Sequence, residues 1–230
     1  MSPKQLVDAA KARGIKTLVL TDINNTSATL PFVRLCQKAG IKPIVGIEFR
    51  ENNEWLFTGI ALNNEGFREL NALLTKHSME KKKLPSVPPE MPNAIIVYPR
   101  LIKPMEEFTR NEFLGINTEY VNRLYFSEVR KFQHKLLALN PITFLDKEGY
   151  QTHQLLRAID LNTLASKLTK KDVARKTEHF IKQEVLEKFY EGFPRIINNT
   201  KRLLAACTID FKCGLEVNRQ SFTGSERRRL

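Results

Sequence analysis

Two carboxylates stand near the ends of two apolar segments that have the composition of β-strands. Asp22 follows the segment 17–20, and Glu48 lies near the end of the segment 43–49. The residues between the segments have helical spacing and end at Gly40, so this stretch predicts a strand–helix–strand unit. In such units the carboxyl ends of neighbouring strands carry the site residues. We therefore expect Asp22 and Glu48 to face one cavity, as hard cations and phosphoester chemistry require.

The chain continues this alternation of short apolar segments and helical patterns through about residue 144. A polar cluster at 24–27 can turn the chain and cap the helix that follows. A hairpin-like turn at 51–54 leads into a third strand. The six predicted strands are 17–20, 43–49, 55–62, 93–98, 113–116 and 135–140. Helical patterns follow from residue 147 onward, and the whole predicts an α/β fold with a mainly parallel sheet or barrel.

The chain opens with a helix, which is unusual for a domain of this class. Ser2 can cap the helix, Pro3 suits its first position, and Gln5 completes a capping box. We therefore expect the first strand of the sheet to be missing before Met1. A sheet without that strand would leave an unpaired edge at residues 17–20.

The charge balance indicates a polyanionic neighbour such as nucleic acid. The 230 residues include 37 Lys and Arg against 25 Asp and Glu, a formal net charge of +12. Part of this excess lies in short runs at 81–83, 167–176 and 227–229. Such runs are more often solvated surface than binding sites, so both interpretations stay open.

The sequence favours a cytoplasmic protein without a membrane partner. It has no apolar run of about 18 residues, and its first residues lack the basic-then-apolar order of a signal peptide. The three cysteines, Cys36, Cys207 and Cys213, are few and odd in number. They suit reduced thiols better than a disulfide framework.

Four segments in order resemble the PHP (polymerase and histidinol phosphatase) domain of the bacterial DNA polymerase III alpha subunit. They are AAKARGIKTLVLTD (9–22), GIKPIVGIE (40–48), GFRELNALLT (66–75) and FYEGFPRIINNT (189–200). Their order and spacing, rather than any single segment, carry the resemblance, which extends to about residue 213. It implies a distorted seven-stranded (β/α) barrel with C-terminal helices, which agrees with six counted strands plus a missing first strand.

The resemblance also implies a division of the chain. Residues 1–165 would be the PHP-like barrel, and residues 166–213 its helical end, leading toward a palm domain absent from this chain. Residues 214–230 would be a linker or tail. Its abrupt basic end is what a truncated reading frame would give.

In family members with an intact site, the resemblance implies a cluster of divalent metal ions. Its ligands are a His-x-His pair, an Asp-His pair, a Glu, a later His and an Asp-x-His. Asp22 and Glu48 match the Asp and the Glu, but Ile23 stands at the partner His, and Pro141 and Thr143 stand at the Asp-x-His. We therefore expect Asp22 and Glu48 to be vestigial metal ligands.

The remaining candidate ligands do not restore the pattern. The segment 98–100 offers no histidine at the intermediate ligand position. None of the four histidines has a second ligand at helical or short-loop spacing, and we assign a metal to none of them. These histidines are His77, His134, His153 and His179.

The resemblance implies that nucleotidyl transfer belongs to a palm domain outside this chain, which binds magnesium. We interpret the chain as the N-terminal PHP portion of a replicative polymerase alpha subunit, acting as a metal-free structural and interaction module. The implied partners are the remainder of the alpha subunit, a proofreading exonuclease subunit, and DNA through the full-length protein. The alternative is a phosphoesterase or 3'-5' exonuclease that uses zinc or manganese, which would need histidines at positions 23 and 143.

Overall fold

The computed structural model describes residues 1–211. The predictions for Cys213 and for residues 214–230, and the end of the predicted 166–213 unit, lie outside the described residues. Within the described part the strands are β1 (Thr17–Ile23), β2 (Lys42–Glu51), β3 (Glu54–Ala61), β4 (Ala94–Tyr98), β5 (Glu112–Ile116) and β6 (Leu136–Ala138). The α-helices are α1 (Pro3–Ala12), α2 (Thr29–Ala39), α3 (Asn64–Glu80), α4 (Gly149–Asp160), α5 (Gln183–Phe189) and α6 (Pro194–Ala206). Short 3₁₀ segments cover Met105–Glu107, Val121–Phe126, Glu128–Lys135 and Ala165–Lys167.

The six strands form one sheet in the order β1-β2-β3-β4-β5-β6, with β1 and β6 at its edges. β3 runs antiparallel to both of its neighbours, and the other ladders are parallel. The turn before β3 explains this reversal, because Asn52 and Asn53 both have positive φ (50° and 65°), as a tight two-residue hairpin needs. The sheet curls into a half-barrel, which confirms the predicted α/β class and agrees with a PHP-type barrel.

Alternate residues of the strands supply two apolar clusters on the two faces of the sheet. Val45 and Ile47 of β2 join the larger cluster, to which α1, α2 and α3 contribute their apolar faces. Ile44 points to the other face and joins a smaller cluster with Leu137 and Cys207. This alternation is the two-residue period of a strand covered on both faces.

The C-terminal helices are attached to the sheet by polar contacts, two of which are buried. The Tyr190 hydroxyl donates a hydrogen bond to the carbonyl of Ile116 at 2.6 Å. The Asn199 amide donates to the carbonyl of Leu136 at 3.1 Å, and the Lys42 ammonium donates to the last carbonyls of α6. These bonds join α5 and α6 to β2, β5 and β6.

One buried carboxylate, Glu112 on β5, is fully satisfied by its neighbours. Tyr98 donates to it at 2.5 Å, the Lys103 ammonium at 2.8 and 2.9 Å, and the Thr109 N–H at 2.7 Å. Burial would raise the pKa of Glu112, but these hydrogen bonds outweigh it and hold the pKa below its usual range. The network therefore stabilises the charged form of a buried side chain.

The predicted cap of α2 is wrong, although the predicted turn is present. The N-cap residue is Ala28, which has no capping side chain. Asn24 adopts a left-handed conformation (φ 46°), and its side-chain amide bonds both backbone groups of Arg50, at 2.8 and 2.9 Å. The polar cluster thus ties the end of β1 to the end of β2. Among residues 1–211, no helix has the length and apolar character to cross a membrane.

Candidate functional site

A cleft of about 460 Å³ opens along the inner face of the sheet and around the β1 edge. Both carboxylates that the sequence singles out, Asp22 and Glu48, border it. Arg50 of β2 lines it as well. Thr143 and Glu178 close it from the segment that follows β6.

Glu48 is the most enclosed charged side chain of the cleft, with 8% of its side chain exposed. Arg50 lies two residues along β2, on the same face of the strand, and its Nε approaches Glu48 Oε1 to 2.5 Å. Burial raises the pKa of Glu48, the Arg50 charge opposes that rise, and the nearby Glu178 carboxylate adds to it. The carboxylate of Glu48 therefore already has a cationic partner from its own strand.

Asp22 lies on the other face of the sheet from Glu48. In the parallel β1/β2 ladder Asp22 is opposite Ile47, and Glu48 is opposite Ile23. Laterally paired residues of a ladder point to the same face, so Asp22 shares a face with Ile47 of the main core. Burial alone raises the pKa of Asp22. The two carboxylates border one cleft, but they point away from one another across the strands.

The positions that depart from the family pattern have other roles at the cleft. Ile23 is about half exposed at the end of β1. Thr143 donates its hydroxyl to Glu178 Oε2 at 2.6 Å and its N–H to the Glu178 carbonyl at 2.8 Å. Pro141 lines the same wall. The segment around Thr143 is thereby fixed to a carboxylate rather than contributing a metal ligand.

The histidines are dispersed, and two of them have local hydrogen-bond partners, whereas His77 Nδ1 is buried without one among the described residues. His153 Nε2 accepts a hydrogen bond from the N–H of Ala174 at 2.9 Å, and burial, then Arg157, lowers its pKa. His179 Nδ1 lies 3.1 Å from the carbonyl of Lys176. Throughout residues 1–211, no group of three or more His, Cys, Asp and Glu side chains is placed to hold a metal ion.

The donor set of the cleft does not fit the metal cluster that the resemblance implies. Such a cluster needs several imidazoles and carboxylates converging on one point. Here Asp22 and Glu48 face opposite ways, and Arg50 holds the Glu48 carboxylate. The two thiols in the part of the chain that the structure describes are no substitute, since burial raises the pKa of Cys36 and Cys207 to about 11 and keeps them protonated.

Sequence reasoning missed two residues of the cleft. Arg50 had a usable signal, because a glutamate and an arginine two residues apart in a strand share one face. Glu178 had none, because it reaches the cleft from a stretch of irregular structure. An isolated β-bridge between Phe144 and His179 holds that stretch beside the segment that follows β6.

Comparison with known proteins agrees with the resemblance. Residues 1–96 match the model of the PHP domain. Proteins named "DNA polymerase III subunit alpha" from Halalkalibacterium halodurans and Buchnera aphidicola subsp. Schizaphis graminum are each 23% identical, over 91% and 92% of this chain. An "Error-prone DNA polymerase" of Symbiobacterium thermophilum is 39% identical over 70 residues, or 30% of the chain and 6% of that protein.

The chain spans about a fifth of the length of the two alpha subunits, 21% and 22%. The PHP match ends within β4, so it covers the first helices and strands, including both Asp22 and Glu48. The resemblance on the sequence segments is confirmed. Residues 1–96 are similar to the PHP domain, within a chain that is similar along about 91% of its length to proteins named DNA polymerase III subunit alpha.

Proposed function

We propose that this chain is the PHP portion of a DNA polymerase III alpha subunit and serves there as a metal-free structural and interaction module. The observation that carries the proposal is the ion pair between Glu48 and Arg50. A buried carboxylate needs a positive partner, and a guanidinium from the same strand supplies one without a divalent cation. The carboxylate that would act as a metal ligand is then already neutralised by a residue of its own strand.

DNA synthesis is assigned to the rest of a longer polypeptide, since this chain spans about a fifth of its relatives. In this proposal nucleotidyl transfer takes place in a palm domain with magnesium. The partners of the module are that remainder of the alpha subunit and a proofreading exonuclease subunit, with DNA contacted through the full-length protein. We place the protein in the cytoplasm, where replication proteins of bacteria act.

The first test measures metal by plasma mass spectrometry on protein purified without chelator, together with hydrolysis of a generic phosphodiester in manganese. We expect metal far below one ion per chain. We also expect the same background hydrolysis for the parent, for Asp22→Ala and Glu48→Ala, and for Glu65→Ala. The last variant is the matched control, because Glu65 is an exposed carboxylate on α3 outside the cleft.

The second candidate function is a zinc- or manganese-dependent phosphoesterase or 3'-5' exonuclease. It is favoured by one observation, the grouping of three carboxylates around a cleft of about 460 Å³. Near-stoichiometric metal, with hydrolysis abolished in Asp22→Ala and Glu48→Ala and kept in Glu65→Ala, would establish it. That result would contradict the module proposal.

The interaction part of the proposal needs its own measurement. We expect the purified chain to bind a purified proofreading exonuclease subunit in an analytical sedimentation experiment. Lack of a complex at concentrations of about 10 μM would refute this part, because the affinity would then be weaker than subunits of a stable assembly require. The structural role would then stand alone.

A further inference from the structure

The 3₁₀ segment Val121–Phe126 presents an unusual outer face. A 3₁₀ helix has three residues per turn, so every third side chain lies on one line. Val121 and Leu124 form the inner line and are buried. Tyr120, Arg123 and Phe126 form the outer line, and all three are exposed. We call these three residues the Tyr120–Phe126 stripe, which runs about 12 Å along the segment.

Phe126 is the most exposed large apolar side chain in the described part of the chain, at 95%. A single exposed apolar residue is ordinary on a protein surface. Here, however, the ring lies in line with an arginine and a second aromatic ring, half-exposed Tyr120. The stripe therefore combines one highly exposed aromatic ring, Phe126, with a cation and a second ring.

Two guanidinium groups lie against the ring of Tyr120. The Cζ of Arg123 is 4.7 Å from the ring centroid, and the Cζ of Arg175 is 5.5 Å from it. These are cation–π distances, at which the ring attracts both charges. Arg175 arrives from a distant part of the chain, so the tertiary fold assembles this group of side chains.

Arg175 is held in place from a second side. Its Nη1 lies 3.6 Å from a carboxylate oxygen of Glu119, and the hydroxyl of Thr177 donates to the other oxygen of Glu119 at 2.8 Å. The next cation along the chain repeats the pairing, because Lys176 Nζ lies 5.4 Å from the ring of Tyr150. Two consecutive cations of this segment, Arg175 and Lys176, therefore each lie over an aromatic ring.

We propose that the Tyr120–Phe126 stripe, together with Arg175, is a binding surface for single-stranded nucleic acid. Base faces stack on exposed aromatic rings whatever their sequence, and arginines bind the phosphates between them. Phe126 supplies the stacking platform, and Arg123 and Arg175 supply the phosphate contacts. The net charge of +12 favours this polyanion over a protein partner. The stripe does not line the Asp22–Glu48 cleft, so this inference is independent of the proposed function.

The test uses the full 230-residue chain and a fluorescently labelled oligothymidylate of about 15 nucleotides, followed by anisotropy. Phe126→Ala should weaken binding about 5- to 100-fold, which is the usual loss for one stacked base. Phe126→Trp should bind at least as well as the parent. Met79→Ala is the matched control, because Met79 is also highly exposed (79%) but lies on α3. Thermal unfolding of Phe126→Ala should match the parent, since so exposed a ring has few contacts to lose.

A second pair of variants tests whether binding depends on the stripe or on positive charge anywhere on the surface. Arg123→Gln and Arg34→Gln remove one positive charge each, from the stripe and from the exposed face of α2. Arg123→Gln should weaken binding at least several-fold more than Arg34→Gln, and its affinity should depend less steeply on salt.

Three results would overturn the inference. Equal oligonucleotide binding by Phe126→Ala and Met79→Ala would show that no base stacks on Phe126. Equal losses in Arg123→Gln and Arg34→Gln would reduce any binding to diffuse charge. Absence of oligonucleotide binding at low salt, with self-association that Phe126→Ala abolishes, would assign the stripe to a protein contact.

Discussion

Replacement of Arg50 by alanine tests whether the arginine takes the place of a cation at the cleft. The change leaves Glu48 with 8% of its side chain exposed and without its charge partner at 2.5 Å. The remaining charge near Glu48 is the Glu178 carboxylate, which repels the Glu48 carboxylate and raises its pKa. The native state of the variant must therefore bury an uncompensated charge or bind a proton there.

The size of the stability loss in Arg50→Ala depends on how much water can reach the Glu48–Arg50 pair. Removing one partner of a fully buried ion pair costs about 3–5 kcal/mol. Arg50 keeps 30% of its side chain exposed, so the cleft admits water and the expected loss is smaller, about 2–3 kcal/mol. For a chain of this size that loss lowers the Tm by about 4–12 °C.

The loss should depend on pH, with a definite sign. Without Arg50, burial and Glu178 raise the folded-state pKa of Glu48 further above its unfolded value. The folded state then binds more protons than the unfolded state between the two values, and stability falls as the pH rises. The deficit of the variant is therefore largest at neutral pH, shrinks as the pH falls through the raised folded-state pKa, and is smallest below the unfolded pKa of about 4.3.

The assay is urea-induced unfolding of Arg50→Ala, of Glu48→Gln and of the double variant, at neutral and acid pH. Glu48→Gln in the Arg50→Ala background should recover most of the lost stability, since it removes the stranded charge. Arg100→Ala is the control, because it breaks an exposed pair with Glu54 and should cost less than about 1 kcal/mol. A deficit that Glu48→Gln does not rescue, or that is the same at both pH values, would refute the reasoning.

Three further changes test other parts of the fold, all by urea-induced unfolding. Glu112→Ala should cost about 3–5 kcal/mol, because it strands a lysine ammonium and the Tyr98 hydroxyl. Because the pKa of Glu112 is lowered, its contribution is lost as the pH falls through that value, and a deficit unchanged in acid would contradict this. Gly66→Ala would place Cβ 1.8 Å from the Asn93 carbonyl oxygen and should cost about 1–3 kcal/mol, whereas a neutral result would mean the start of α3 can move. Ser2→Ala removes the capping box and should cost about 1 kcal/mol, with Ser2→Asp retaining stability.

The strands were predictable because each one reads as a short apolar segment between turn residues. The segment predicted as 93–98 is β4, Ala94–Tyr98, and every residue of it is buried. The capping box at Ser2 has both of its predicted hydrogen bonds. In these places the local sequence and the tertiary packing demand the same conformation, so local reasoning is sufficient.

The relation of the two site carboxylates was not predictable, because it depends on ladder register. Asp22 and Glu48 each end a strand, and the sequence places both near one edge. A shift of one residue in the β1/β2 pairing would move Asp22 to the face of Glu48, and only the packing of both strands fixes that register. The contribution of Glu178 is likewise tertiary, because no local pattern brings an irregular segment to a strand about 130 residues earlier.

The source of the positive charge beside Glu48 decides how folding and function are connected in this domain. A divalent cation would join ligands from several strands, so the domain would gain stability only when the metal is bound. Arg50 lies on the same strand as Glu48, so the charge is in place as soon as β2 forms. Removal of divalent cations with EDTA should therefore leave the Tm of the parent unchanged. A fall in Tm that returns with added manganese or zinc would show that a cation, and not Arg50, completes the site.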